Sequence, residues 1–286
     1  MKVKHFLTAL ILSILIFSCQ KQKDFSSDNN AAKTILNISY GADSHQNMDA
    51  YLPANRTTGS TKVLIVIHGG AWESGDKSDL SDYIDTFKNR LADYAIFNIN
   101  YRLSVNGTNV FPAQENDVKV AFDYILNNSA SYNISHKIVL LGISAGGHLA
   151  LLQGYKYDSP ARPEAIISFF GPTDIADMYY NPASILVASP VLAAIVGTTP
   201  IEDSLLYANS SPINFVTHSS PPTILLHEGL DPIVRPQQAM ALQTKLQASG
   251  IINQYVFYPN EGHGWTGADL IDSFNKIQAF LSANVK

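Results

Sequence analysis

Three residues of this chain together have the makings of a proton relay that attacks a carbonyl carbon: Ser144, Asp231 and His263. A serine hydroxyl is a weak nucleophile until an imidazole takes its proton, and the imidazole needs a carboxylate to hold its tautomer. Ser144 sits in Gly142-Ile143-Ser144-Ala145-Gly146-Gly147. A cramped strand-to-helix turn requires glycine two residues before and two after the serine, because side chains there collide with neighbouring backbone. The helix start behind it offers unpaired N–H groups that favour negative charge. Asp231 lies in Gly229-Leu230-Asp231-Pro232 and His263 in Glu261-Gly262-His263-Gly264. Farther upstream, His68-Gly69-Gly70-Ala71-Trp72 puts two glycines directly after an apolar run. Backbone N–H groups of Gly69, Gly70 and Ala145 are therefore the expected oxyanion donors, with His68 a structural histidine.

Positioning these residues requires strands that end beside one another. Val63–Ile67, Ala95–Asn100 and Ile138–Ile143 are continuous apolar runs, the mark of strands buried on both faces. Ile166–Phe170, Thr223–Leu226 and Tyr255–Tyr258 add three more, and Ile35–Tyr40 with Met48–Leu52 reads as an antiparallel pair joined by the turn 41–46. Helical spacing follows at Val118–Leu126, Ala145–Tyr155, Pro236–Ser249 and Ala268–Asn284. Strands alternating with helices imply a mostly parallel, doubly wound α/β sheet. Residues 174–220 break the rhythm and read as a partly helical insertion over the sheet, a cap within one domain at 34–286. In this frame Ser144, Asp231 and His263 each follow a strand, the order of the α/β-hydrolase triad.

Two other carboxylates compete with Asp231. Asp174 follows an earlier strand but reads as a helix N-cap, and Glu261 is too close to His263 along the chain to reach the ring side-on. Among the eight histidines, only His263 stands in a glycine-flanked loop beyond the last strand. Trp72 and Trp265 adjoin these loops as candidate pocket walls, and Glu73 is a candidate reader of a polar substrate group. Asp117 reads as a structural hydrogen-bonder.

Composition narrows the classes. The chain has 286 residues, 46% hydrophobic and 15% charged, which is enough to bury a sizeable core. Its net charge of −5, from 19 basic and 24 acidic residues, argues against a nucleic-acid partner. The single cysteine, Cys19, excludes an internal disulfide and a cysteine-rich metal site, and the motifs call for no metal or organic cofactor.

On its H-G-G-x-W and G-x-S-A-G-G motifs the chain resembles the α/β-hydrolase serine esterases. That branch includes hormone-sensitive-lipase-like carboxylesterases, acetyl and feruloyl esterases, and kynurenine formamidase-like enzymes. Tyr101-Arg102-Leu103, Phe111-Pro112-Ala113 and Asp231-Pro232-Ile233-Val234 extend the similarity. The chain departs from it at Ala71, where the lipase-like branch has a third glycine, and at Glu228, where glycine is usual. The resemblance implies a serine esterase acting on short acyl esters, including acetyl or feruloyl groups on polysaccharide, with Ser144 as nucleophile, His263 as base and Asp231 as its orienter. An amidase or peptidase using the same triad, and a non-catalytic glycan-binding lipoprotein, are the competing readings.

The N-terminus adds a location. Two lysines precede an apolar run, Phe6–Phe17, too short to span a bilayer at about 1.5 Å per residue. It ends Ile16-Phe17-Ser18-Cys19, followed by the polar stretch 20–30. This resembles a bacterial lipoprotein signal: a leader at 1–18, lipidation at Cys19 and a polar tether at 19–33, giving a chain exported and anchored to a membrane in the periplasm or at the cell surface. Wild-type protein is then expected in the membrane fraction, and Cys19→Ala is expected to release it or to leave an uncleaved precursor. A wholly soluble wild type would contradict the anchor.

Overall fold

The computed structural model describes residues 30–158 and 161–286, so the leader and Cys19 lie outside the described residues. Eight strands form one sheet: β1 (Lys33–Ser39), β2 (Asn47–Leu52), β3 (Lys62–Ile67), β4 (Tyr94–Ile99), β5 (Ile138–Ile143), β6 (Ala165–Phe169), β7 (Thr223–Glu228) and β8 (Asn253–Tyr258), in spatial order β1-β2-β4-β3-β5-β6-β7-β8. β1 and β2 join antiparallel, and every pair from β4 across to β8 is parallel. The helices are α1 (Ser81–Arg90), α2 (Ala113–Asn127), α3 (Ser129–Tyr132), α4 (Ala145–Lys156), α5 (Ile175–Tyr180), α6 (Ser189–Val196), α7 (Ser204–Asn209), α8 (Pro236–Ala248) and α9 (Gly267–Asn284). The architecture is that of an α/β-hydrolase.

The continuous apolar strands have two faces to fill. In β3, Val63, Ile65 and Ile67 join the layer that holds Val118 and Phe122 of α2 and Leu149 of α4. Leu64 and Val66 point the other way, into the layer of Ile84, Phe87, Phe274 and Ile277 from α1 and α9. No helix was expected over residues 81–90. Its apolar signal is only Ile84 and Phe87 in a polar stretch, but Asp76 forms a capping box on the 3₁₀ turn that leads into it. The segment 174–220 carries α5, α6 and α7 with two further 3₁₀ turns.

The antiparallel edge is irregular. The β1–β2 register shifts between Ile35 and Ile38, with Asn37 left-handed at φ 55°. The Asn37 N–H donates to Asp49 Oδ1 at 2.7 Å, and Asn37 Oδ1 accepts from the buried Lys77 Nζ at 2.7 Å. Behind the edge, fully buried Asp117 accepts from Gln46 Nε2 (2.7 Å), the Arg102 N–H (2.8 Å) and the Arg102 guanidinium (2.7 Å). This ties α2 to the loop after β4 and to the β1–β2 turn, the structural role expected of Asp117. Asp117→Ala leaves these donors unmatched and is expected to cost about 2–4 kcal/mol, or about 5–10 °C in Tm by calorimetry. A change below about 0.5 kcal/mol would refute that role.

Candidate active site

Ser144 occupies the turn between β5 and α4 with φ 55° and ψ −119°. Two glycines make that turn feasible. A Cβ on Gly142 would lie 2.0 Å from the Gly146 carbonyl oxygen, and one on Gly146 would lie 2.2 Å from the Ile67 carbonyl oxygen. The Ser144 N–H donates to Phe169 O at 2.8 Å, joining the turn to the end of β6.

The structure brings Ser144, His263 and Asp231 together in a line. His263 Nε2 lies 3.0 Å from Ser144 Oγ, and His263 Nδ1 lies 2.9 Å from Asp231 Oδ2. Asp231 Oδ1 accepts the N–H groups of Ile233 (2.7 Å) and Val234 (3.0 Å), which orients the carboxylate. Burial pushes the Asp231 carboxyl upward, but hydrogen bonds from His227 and His263 prevail and hold it below the usual range. Burial likewise disfavours charge on His263, but the Asp231 and Glu228 carboxylates outweigh it and push the ring up to about 9. Of the rival acids, Asp174 caps α5 by accepting from the Asp177 N–H at 2.9 Å. Among the described residues, the carboxylates within ion-pair distance of His263 are Asp231 and Glu228, and not Glu261.

The oxyanion loop differs in detail from the expectation. Gly70 is left-handed at φ 103°, and its carbonyl accepts from the Glu73 and Ser74 N–H groups. This turn carries the chain over, so that Ala71, Trp72 and Glu73 reach the cleft beside Ser144 and Ala145. Gly69 instead sits behind the elbow, where a Cβ would lie 3.2 Å from Ser144 Cβ. Ala71 (φ 51°) and Trp72 (φ 63°) are themselves left-handed, which is uncommon for side-chain-bearing residues. Among the described residues, no protein acceptor takes the N–H of Gly69, Gly70, Ala71 or Ala145. Ala71 thus reaches the cleft together with Trp72 and Glu73, and its signal in the sequence was its place immediately after the two glycines.

The cleft is confined and mainly apolar, and the cap contributes Met178, Leu186, Val191, Leu192 and Ile195 to its walls. Trp72 also lines the cleft. Its indole N–H donates to His148 Nδ1 at 3.2 Å, and His148 Nε2 contacts Ser210 O at 2.7 Å. Burial drives His148 down to about 4, so a neutral ring ties the loop to the cap. Sequence reasoning gave His148 no such part. Trp265, by contrast, does not wall the cleft. It is 5% exposed, packs on Phe170 with ring centroids 5.4 Å apart, and donates to Ser273 Oγ at 2.9 Å. Phe170 in turn covers the His263 ring at 4.5 Å. The loop after β8 turns its tryptophan into the α9 layer while its histidine faces the elbow. His68 stacks on Tyr101 with centroids 4.3 Å apart and acts structurally.

Known proteins resemble both the sequence and the fold. A profile of the BD-FAE family matches residues 48–246. The esterase LipC of Mycobacterium tuberculosis is 26% identical over 248 residues, which cover 82% of this chain and 60% of LipC. The chain spans 60% or less of the length of the mycobacterial esterases it matches. A truncated carbohydrate esterase from gut microbiota superposes with a TM-score of 0.71 at 25% identity, covering 89% of this chain and 99% of that one. A bifunctional GH43-CE protein of Bacteroides eggerthii gives 0.71 at 27% identity, covering 88% of this chain and 38% of that one.

The opposite shifts of the His263 and His148 rings are measurable. In a histidine NMR titration, His263 is expected to gain its proton as pH falls through about 9 and His148 only near 4. The raised His263 value makes its ion pair stabilising below the unfolded value of 6.5. That contribution is lost as pH rises through about 9. Both rings titrating together near the ordinary value would overturn the assignment.

Proposed function

The chain belongs to the BD-FAE family, and on that premise we propose that it is a serine carboxylesterase that cleaves short acyl esters through an acyl-enzyme. The observation that carries the reading is the line Ser144 Oγ–His263 Nε2 at 3.0 Å with Asp231 on the opposite ring nitrogen at 2.9 Å. Ser144 Oγ attacks the ester carbonyl as its proton passes to His263 Nε2. The oxyanion forms against the N–H groups of Ala71 and Ala145, with Gly70 beside them. Asp231 holds the Nδ1 proton and offsets the imidazolium charge. His263 then protonates the leaving alcohol. Water, deprotonated by the same ring, releases the acid.

The walls of the cleft support a substrate class. The acyl group faces apolar cap side chains in a confined cleft, which suits acetyl to butyryl chains better than long ones. Residues 163–234 contain no lysine or arginine, so the cap offers no cation to a charged substrate. Exposed Glu73 at the rim can accept hydrogen bonds from alcohol-side hydroxyls. Together with the carbohydrate esterases among the structural relatives, these features favour an acylated glycan or another small neutral ester. The location proposed with this activity is the membrane-anchored one set by Cys19.

The test is a panel of p-nitrophenyl esters, N-aryl amides and acetylated xylan. Ser144→Ala is expected to lower kcat by about 10⁵–10⁶. Asp231→Asn is expected to lower it by about 10³, with the fold retained. Asp174→Asn and Glu261→Gln are each expected to cost under about tenfold, since neither reaches His263. Faster turnover of amides than of esters, or of palmitoyl than of acetyl esters, would refute the proposal.

A further inference from the structure

A second carboxylate lies on the Nδ1 side of His263. Glu228 closes β7 and is fully buried. Its Oε1 lies 3.5 Å from His263 Nδ1 and accepts the Gly264 N–H at 3.3 Å, and its Oε2 has no hydrogen-bond partner among the described residues. The backbone holds this arrangement from both sides. The Leu230 N–H donates to Glu261 O at 3.0 Å and the Gly229 N–H to Tyr258 O at 2.9 Å, so the turn bearing both acids is bonded to the loop bearing His263.

A half-matched buried carboxylate is a poor stabiliser, because desolvation is only partly offset by its contacts. Fold stability therefore does not account for Glu228 well. Its ionisation is linked to the ring it faces: burial, with the Asp231 carboxylate adding to it, raises the carboxyl above the ordinary range, and the contact with His263 pulls it back. Its other titratable neighbours are His227 of β7, Asp231 of the turn that follows, Tyr255 of β8 and Tyr83 of α1. None of these brings a fixed positive charge. The group that favours ionised Glu228 most is thus protonated His263, the form the ring takes as Ser144 attacks.

We propose that Glu228 is a second positioning residue for His263: it shares with Asp231 the support of the imidazolium, and it takes over the Nδ1 proton when the Asp231 carboxylate is removed. This rests on the esterase reading above and deepens it.

The experiment compares wild type, Glu228→Gln, Asp231→Asn and the double variant on p-nitrophenyl acetate across pH, with Ser144→Ala as the control for the reading itself. Glu228→Gln is expected to lower kcat about three- to tenfold with KM within about twofold. It is also expected to move the acid limb of kcat/KM to lower pH, because the ring loses part of the negative field that retains its proton. The double variant is expected to fall at least about tenfold below Asp231→Asn alone. An unmoved acid limb, together with a double variant equal to Asp231→Asn, overturns the proposal. Should Glu228→Gln not fold, Glu228→Asp replaces it in both comparisons. A drop of at least about threefold on the Asp231→Asn background then supports the role, and equality overturns it. Activity surviving in Ser144→Ala would defeat the esterase reading instead, a separate outcome.

Discussion

Everything at the site depends on holding a serine where an L-residue does not rest by itself. The φ 55°, ψ −119° conformation of Ser144 costs on the order of 1–3 kcal/mol and persists only where its surroundings over-determine it. Those surroundings are the buried strands on both sides of β5 and the close approach of α4 to the end of β3, which Gly146 permits. His263 answers a second demand of the same turn. β8 stands three strands from β5, about 14 Å at ordinary strand spacing, so the imidazole must be carried back across the top of the sheet. The loop after β8 does this, and its bonds to the Asp231 turn keep the ring from swinging free.

Burial alone does not decide what a histidine does here. His68, His148 and His227 are all fully buried, and desolvation lowers the first two. His263, also largely enclosed, goes the other way because two carboxylates meet its Nδ1. The same fold thus keeps neutral imidazoles as hydrogen-bonding struts, with His148 joining Trp72 to the cap, and a more basic one where two carboxylates face the ring. The side-chain type is constant, and the neighbouring charge sets its chemistry.

The sequence was most informative where backbone sterics and periodicity speak. Gly142 and Gly146 announced the elbow, and the unbroken apolar runs of β3, β4 and β5 announced a central sheet. Asp231 and His263 were legible because each follows a strand in a turn rich in glycine or proline. What escaped had no local signature. Helix α1 shows only Ile84 and Phe87 as an apolar stripe, and its packing against α9 is a long-range fact. Trp265 and Trp72 look alike beside their loops, and only the direction of each chain turn sends one to the core and the other to the cleft. Glu228 stood out as a departure from a familiar pattern, but its meeting with His263 depends on β7 and β8 lying side by side. Ala71 was passed over because glycine was expected to serve as donor, although the tight turn at Gly70 moves the exposed peptides one residue onward.

The irregular pairing of β1 has a consequence away from the cleft. An open sheet ends in a row of unpaired peptide groups, a template on which a strand from another molecule can grow. At the β1 edge that template is interrupted: the register slips at Asn37, whose N–H is taken by Asp49 and whose side chain is held by Lys77. A flat ribbon seeking to continue the ladder would meet a kinked strand. The bulge thus acts as a guard against edge-to-edge aggregation, built into the strand through which the chain first enters its own sheet.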